Sequence, residues 1–183
     1  MSDLNEKYLD TFPSWLRSLG EDVETVLAAA ETEGIDDDAK RQLVSGVNYL
    51  FKSLDLIPDG IDDIGYLDDA FVLRVSASVL GEEVLAGAGD AAAAMKALAD
   101  QTSLVEEFLG EETYARLLRY TKELRQSSAR GRSVSDIVTQ PEVWREFASE
   151  VRNFAKGYES PSFTREEKTL IKLRAFFEAK LPR

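Results

Sequence analysis

The chain has 183 residues, 44% hydrophobic and 31% charged, and a formal net charge of −12. It contains neither Cys nor His, which excludes disulfides, thiolate zinc sites, thiol catalysis, Ser-His triads and Glu-x-x-His iron sites. Any bound metal would meet oxygen ligands only, which favours magnesium, calcium or manganese, and no other cofactor is expected.

The N-terminus has neither a basic leader nor an apolar run. No uncharged stretch approaches the roughly 20 apolar residues of a bilayer span. A cytoplasmic protein without a transmembrane segment is expected. Charge is unevenly placed: residues 1–110 carry 7 basic and 23 acidic side chains, whereas 111–183 carry 15 and 11. Halves at −16 and +4 attract each other within the fold or across a homodimer. The overall field repels phosphate, so nucleic acid is not an expected partner.

The first segment places Tyr8, Phe12, Trp15, Leu16, Leu19, Val23, Val26, Leu27 and Ala30 on one helical face. Pro13 and Gly20 allow a break, so one helix or two are predicted, with Trp15 in the core. Asp36-Asp37-Asp38 then caps a second helix. Its apolar positions Leu43, Val44, Val47, Leu50, Phe51 and Leu54 predict a helix that delivers Asp55 at its C-terminal end. Leu67 to Leu80 is apolar all round, with Arg74 as its lone basic residue, and reads as a helix surrounded by others. Burying Arg74 requires a carboxylate partner, expected from the acidic half.

Later elements follow the same logic. Asp90 is the expected N-cap of a helix carrying Met95, Leu98, Val105 and Leu109, and Gly110 divides it from the Tyr114–Leu124 stripe. Ser127 to Ser133 reads as a loop. Pro141 suits the first turn of a helix bearing Trp144, Phe147, Val151 and Phe154. Thr164 and Glu167 form a candidate capping box for a last helix that buries Leu170, Leu173, Phe177 and Leu181. No useful period-two alternation occurs. The expected fold is all-α, a single domain over 1–183 of about seven helices, built around a central hairpin at 39–80.

That hairpin encloses the chemistry. Between Ser53 and Leu73 stand Asp55, Asp59, Asp62, Asp63, Asp68 and Asp69, with no Lys or Arg. Pro58, Gly60 and Gly65 make the segment a rigid bent loop. Crowded carboxylates need donors, a helix end or a cation. Asp68 and Asp69 fall in a first helical turn, where negative charge is favoured. An EF-hand starting at Asp55 fails, because Ile57 and Tyr66 occupy its third and twelfth positions. Asp-Asp-x-x-Asp fails as well. The candidate oxygen-ligand site is Asp55 and Asp59 with Asp68 or Asp69, against a structural reading in which loop and helix-end N–H groups occupy these acids.

Tyr49, Asp55-Leu56-Ile57-Pro58-Asp59 and Gly65-Tyr66-Leu67-Asp68-Asp69 resemble the YkvA-like bacterial domain family (domain of unknown function 1232), over roughly residues 39–80. The sequence departs from that pattern at Ser53 and Asp62, where the family usually has Pro. The resemblance implies a helical hairpin around the loop and frequent association with membrane proteins, while Pro58, Gly65 and Arg74 are the expected structural residues of the hairpin on the arguments given above. It supplies no established activity. The expected role is a non-enzymatic binding or scaffolding module acting through a protein partner. The alternatives are a divalent-metal enzyme acting on a phosphorylated substrate at the Asp loop, or a peripheral partner of a membrane protein.

Overall fold

The computed structural model describes residues 2–183, and nearly all of its regular structure is helical. The described residues form ten α-helices rather than about seven, because several short turns and linkers themselves close into helix. Helix α1 (Asp3–Glu31) opens where the Ser2 hydroxyl accepts from the Asn5 amide at 3.3 Å. It runs unbroken through Pro13 and Gly20, since its apolar stripe is buried along the whole length. Gly20 is a point of close approach rather than a joint. A Cβ there would stand 3.1 Å from the Ala155 carbonyl oxygen.

Helix α2 (Asp37–Asn48) is capped by Asp36, whose carboxylate accepts from the Ala39 amide at 2.8 Å. It stops earlier than the apolar pattern predicts. Residues Tyr49–Phe51 tighten into a 3₁₀ turn and Lys52 is extended. Leu54, expected to be buried, is therefore 84% exposed, and Asp55 lies in the loop rather than at a helix end.

Helix α3 (Leu67–Leu80) spans the residues its composition predicts. It packs against α1, α2, α5 (Ala92–Asp100), α6 (Thr102–Leu109) and α7 (Glu111–Glu123). Phe71, at its middle, is fully buried, with ring centroids 5.1–6.2 Å from Phe177, Phe12, Trp15 and Phe108. Helix α4 (Glu82–Ala86) and a 3₁₀ turn holding Asp90 separate α3 from α5, so Asp90 does not cap α5.

In the second half, Ser127–Ser133 closes a two-residue hairpin of β1 (Ser128–Ala129) and β2 (Arg132–Ser133) instead of an open loop. Its corner residues Arg130 and Gly131 have φ of 51° and 76°, as a tight primed turn demands. Helix α8 (Val134–Thr139) follows, and α9 (Pro141–Gly157) begins at Pro141 as expected. Helix α10 (Glu167–Lys180) starts after Glu166 and not on Thr164, because Thr164 is engaged elsewhere. The two charge halves meet within one chain: Arg125 pairs with Asp38, Arg152 with Glu31 and Arg165 with Asp10.

Candidate functional site

The loop between the 3₁₀ turn and α3 is fastened from within. The Tyr49 hydroxyl donates to Asp68 Oδ2 at 2.5 Å and accepts from the Leu56 amide at 2.7 Å. The Ile57 amide donates to the same Asp68 oxygen at 3.0 Å. Asp68 and Tyr49 thus staple the Asp55–Pro58 bend to the first turn of α3. Burial raises the Asp59 carboxyl, and the neighbouring Tyr66 hydroxyl lowers it. Tyr66 itself adopts φ 65°, a left-handed conformation costly for a bulky side chain. Gly65 has no room for a Cβ, which would collide with the Asp59 carbonyl oxygen.

Outside the bend, the C-terminal region holds the loop. Asp63, also left-handed at φ 75°, accepts from the Thr164 amide at 2.8 Å and from the Thr164 hydroxyl. Lys172 donates to the Asp62 carbonyl oxygen at 3.1 Å. The Asp63 carboxylate is therefore engaged by Thr164, Asp62 is exposed, and the Thr164 hydroxyl is unavailable to cap α10.

The remaining four acids gather. Asp68 and Asp69 are fully buried, while Asp55 and Asp59 are half-buried. Burial is the first cause that raises all four above the usual carboxylate range, and mutual repulsion adds to it for Asp55, Asp68 and Asp69. Asp55 is pushed up to about 7, with Asp68 and Asp59 raising it further and only Lys52 opposing. The same negative charge acts on the rings around it: after burial, Asp68, Asp55 and Asp69 raise Tyr120 to about 12, and Tyr158 feels Asp69 and Asp59.

Asp55 Oδ1, Asp68 Oδ1 and Asp69 Oδ2 are buried oxygens with no hydrogen-bond partner among the described residues. Among those residues, no three acids stand together closely enough to hold a metal ion as placed. Of the sequence-derived candidates, Asp55, Asp59, Asp68 and Asp69 thus share one electrostatic neighbourhood without converging on a point. Tyr120 and Tyr158 were not singled out in sequence. They lie far along the chain and carry no local signal.

Arg74 makes a separate site six residues along α3. Its guanidinium is 1% exposed and donates to Asp22 at 3.1 Å, the Gln101 side chain at 2.7 Å and the Ala70 carbonyl at 3.0 Å. It also lies over the Trp15 ring, 4.1 Å from the centroid. The carboxylate partner expected from the acidic half is Asp22. These residues floor a cleft of about 660 Å³ between α1 and the α5–α6 corner.

A third feature lies on α10. Ile171, Ala175 and Ala179, spaced four apart, form an exposed apolar line beside Lys172, Phe176 and Lys180. Ile171 is 61% exposed, and a groove of about 240 Å³ runs along Lys172, Ala175, Phe176, Ala179 and Lys180. The stripe is legible in sequence as apolar residues out of register with Leu170, Leu173 and Phe177.

Among the described residues no helix is long and apolar enough to cross a membrane. No curated protein matches the chain, and no solved structure does. One family model matches, over residues 39–74: α2, the acidic loop and α3 as far as Arg74. Its description is a protein of unknown function (DUF1232), so the chain carries a DUF1232, YkvA-like segment across the hairpin in which Tyr49, Asp55, Asp59, Asp68 and Asp69 meet.

Proposed function

We propose that this protein is a non-enzymatic helical module that binds a protein partner through the outer face of α10. The observation that carries the reading is the exposed apolar line Ile171–Ala175–Ala179, continuous with a groove whose edges are Lys172 and Lys180. An amphipathic helix whose second face is apolar is normally covered. The flanking lysines select a partner that presents an apolar helix with carboxylates beside it. An anionic lipid surface is a poorer occupant, because the chain as a whole is at −12. The Asp loop supports the non-enzymatic half of the reading. Its two innermost acids are sealed inside the packing rather than lining an open cleft.

A photo-crosslinking residue at position 171, in cells that make the protein, tests this against the same residue at exposed Glu142 on α9. A discrete protein adduct at 171 alone, lost when Lys172 and Lys180 are both changed to Glu, is expected. An adduct at twice the chain's mass would identify the partner as a second copy. No adduct at 171, or the same pattern from 142, overturns the reading.

A further inference from the structure

We propose that Asp59–Gly60, in the acidic loop, is a self-modification site, at which aspartate isomerises through a cyclic succinimide and loosens the loop. The site is distinct from the α10 face, and neither reading depends on the other.

The chemistry begins with the sequence. Asp-Gly occurs once in the chain, and Asn-Gly does not occur. An aspartyl side chain can reach the amide of the next residue. Glycine there has no Cβ to shield that nitrogen or to restrict the rotation that brings it in. The Gly60 nitrogen attacks Cγ of Asp59 in its acid form. A C–N bond closes the ring, and the amide proton leaves with the carboxyl hydroxyl as one water. Water then reopens the ring. Addition at Cγ restores aspartate. Addition at the main-chain carbonyl carbon leaves the peptide running through Cβ and Cγ, with the former main-chain carboxyl free. No oxidant or further reactant is needed.

The fold leaves this dipeptide free to react. The Ile61 amide donates to the Pro58 carbonyl at 3.0 Å, which closes a turn with Asp59 and Gly60 at its centre. Gly60 is exposed, and among the described residues its amide donates to no acceptor. A Cβ built there would meet nothing within 4 Å, so the turn has room to rotate. The asparagines lack this combination, since Asn5, Asn48 and Asn153 lie in helices and precede Glu, Tyr and Phe. The consequence falls on Gly65. A Cβ on that buried residue would collide with the Asp59 carbonyl oxygen, so this carbonyl is packed against the Gly65 backbone. Isomerisation lengthens the main chain by one methylene and turns the neutral carbonyl into a charged carboxylate. That charge enters a neighbourhood where Asp55, Asp68 and Asp69 already repel one another. The modified loop no longer fits the bend that Tyr49 and Asp68 fasten.

The experiment ages the folded full chain at pH 7.4 beside the same chain held in urea. Isoaspartate is counted by methyl transfer with a purified isoaspartyl O-methyltransferase and located by fragmentation mass spectrometry. Asp62, exposed in the same loop, is the internal reference. Isoaspartate is expected to accumulate at position 59 of the folded chain, with a fraction lighter by one water, and to stay at background at Asp62. Gly60→Ala, which the open surroundings and a φ outside the left-handed region admit, should bring position 59 down to the Asp62 level. Asp59→Asn should react faster through the same ring, releasing ammonia. The isomerised fraction, separated by native chromatography, should show a lower Tm than the unaged chain. Should Gly60→Ala fail to fold, Asp59→Glu decides, because its longer side chain closes the ring poorly. No isoaspartate at position 59 of the folded chain, whether or not it forms in urea, overturns the proposal. So does isoaspartate that survives Gly60→Ala, or an isomerised fraction with the Tm of the unaged chain.

Discussion

Helix α3 buries charge twice, about one and a half turns apart, and treats the two places oppositely. Arg74 is surrounded by a carboxylate, an amide oxygen, a carbonyl and an aromatic face. Asp68 and Asp69 are buried as deeply, yet two of their oxygens have no partner and their nearest charged neighbours are further acids. A buried ion that is fully partnered holds a structure together. One left without compensation stores unfavourable energy, which natural folds retain chiefly where something else is bound.

The largest test concerns the core that forces both charges inward. Phe71 stands between them at the centre of the aromatic cluster, and Phe71→Ala should cost about 3–5 kcal/mol. A loss below about 1 kcal/mol in urea unfolding would show that α3 is not the packing centre and that neither charge is truly confined.

Removing Arg74's partner should come next. Asp22→Ala leaves a buried guanidinium without its counter-charge and should destabilise by about 3 kcal/mol, measured by denaturant unfolding. Burial already draws Arg74 down to about 10, but it stays charged at neutral pH, so deprotonation offers no escape.

At the other end of the helix the sign should reverse. In chelator-treated protein, Asp69→Asn removes an uncompensated charge, and its new amide finds neighbouring carboxylates as acceptors. Stabilisation by about 1–2 kcal/mol is expected. Destabilisation of the same size would mean that Asp69 is as well partnered as Arg74, and the contrast would collapse.

The pH response follows from the same cluster. Asp55 titrates at about 7 in the folded chain against an ordinary 3.8, so the folded state binds the extra proton. Stability of the chelator-treated protein should therefore be greatest near the unfolded value and fall as pH rises from about 4 to about 7. Equilibrium unfolding at fixed ionic strength checks this, and a rise across that window would contradict it.

Salt should matter least. The pairs joining the two charge halves, Arg125–Asp38, Arg152–Glu31 and Arg165–Asp10, are exposed, so stability should fall by less than about 1 kcal/mol between low salt and about 0.5 M. A larger loss would place more of the attraction between halves at the surface than at the buried Arg74.

Composition and periodicity alone determined that the chain is helical, that α3 is the enclosed element and that Arg74 needs an acid. Each follows from local spacing or from the cost of burying a charge, which any fold must satisfy. The family motif likewise marked the right hairpin. Four things were left to the tertiary structure. Leu54 continues an apolar helical pattern, but Asp68 and Tyr49 pull the chain into the bend and expose it. Thr164 and Glu167 read as a capping box until Asp63, about a hundred residues earlier, takes the Thr164 hydroxyl. The six acids look alike in sequence, yet Thr164 takes the Asp63 carboxylate and Asp62 stays exposed, which leaves Asp55, Asp59, Asp68 and Asp69 in one electrostatic neighbourhood. Ile171 sits one residue from the buried Leu170, and only the packing of α10 decides which of the two meets the core. Local sequence sets which residues can be buried, whereas competition among distant donors, acceptors and faces for the same interior space sets which ones are.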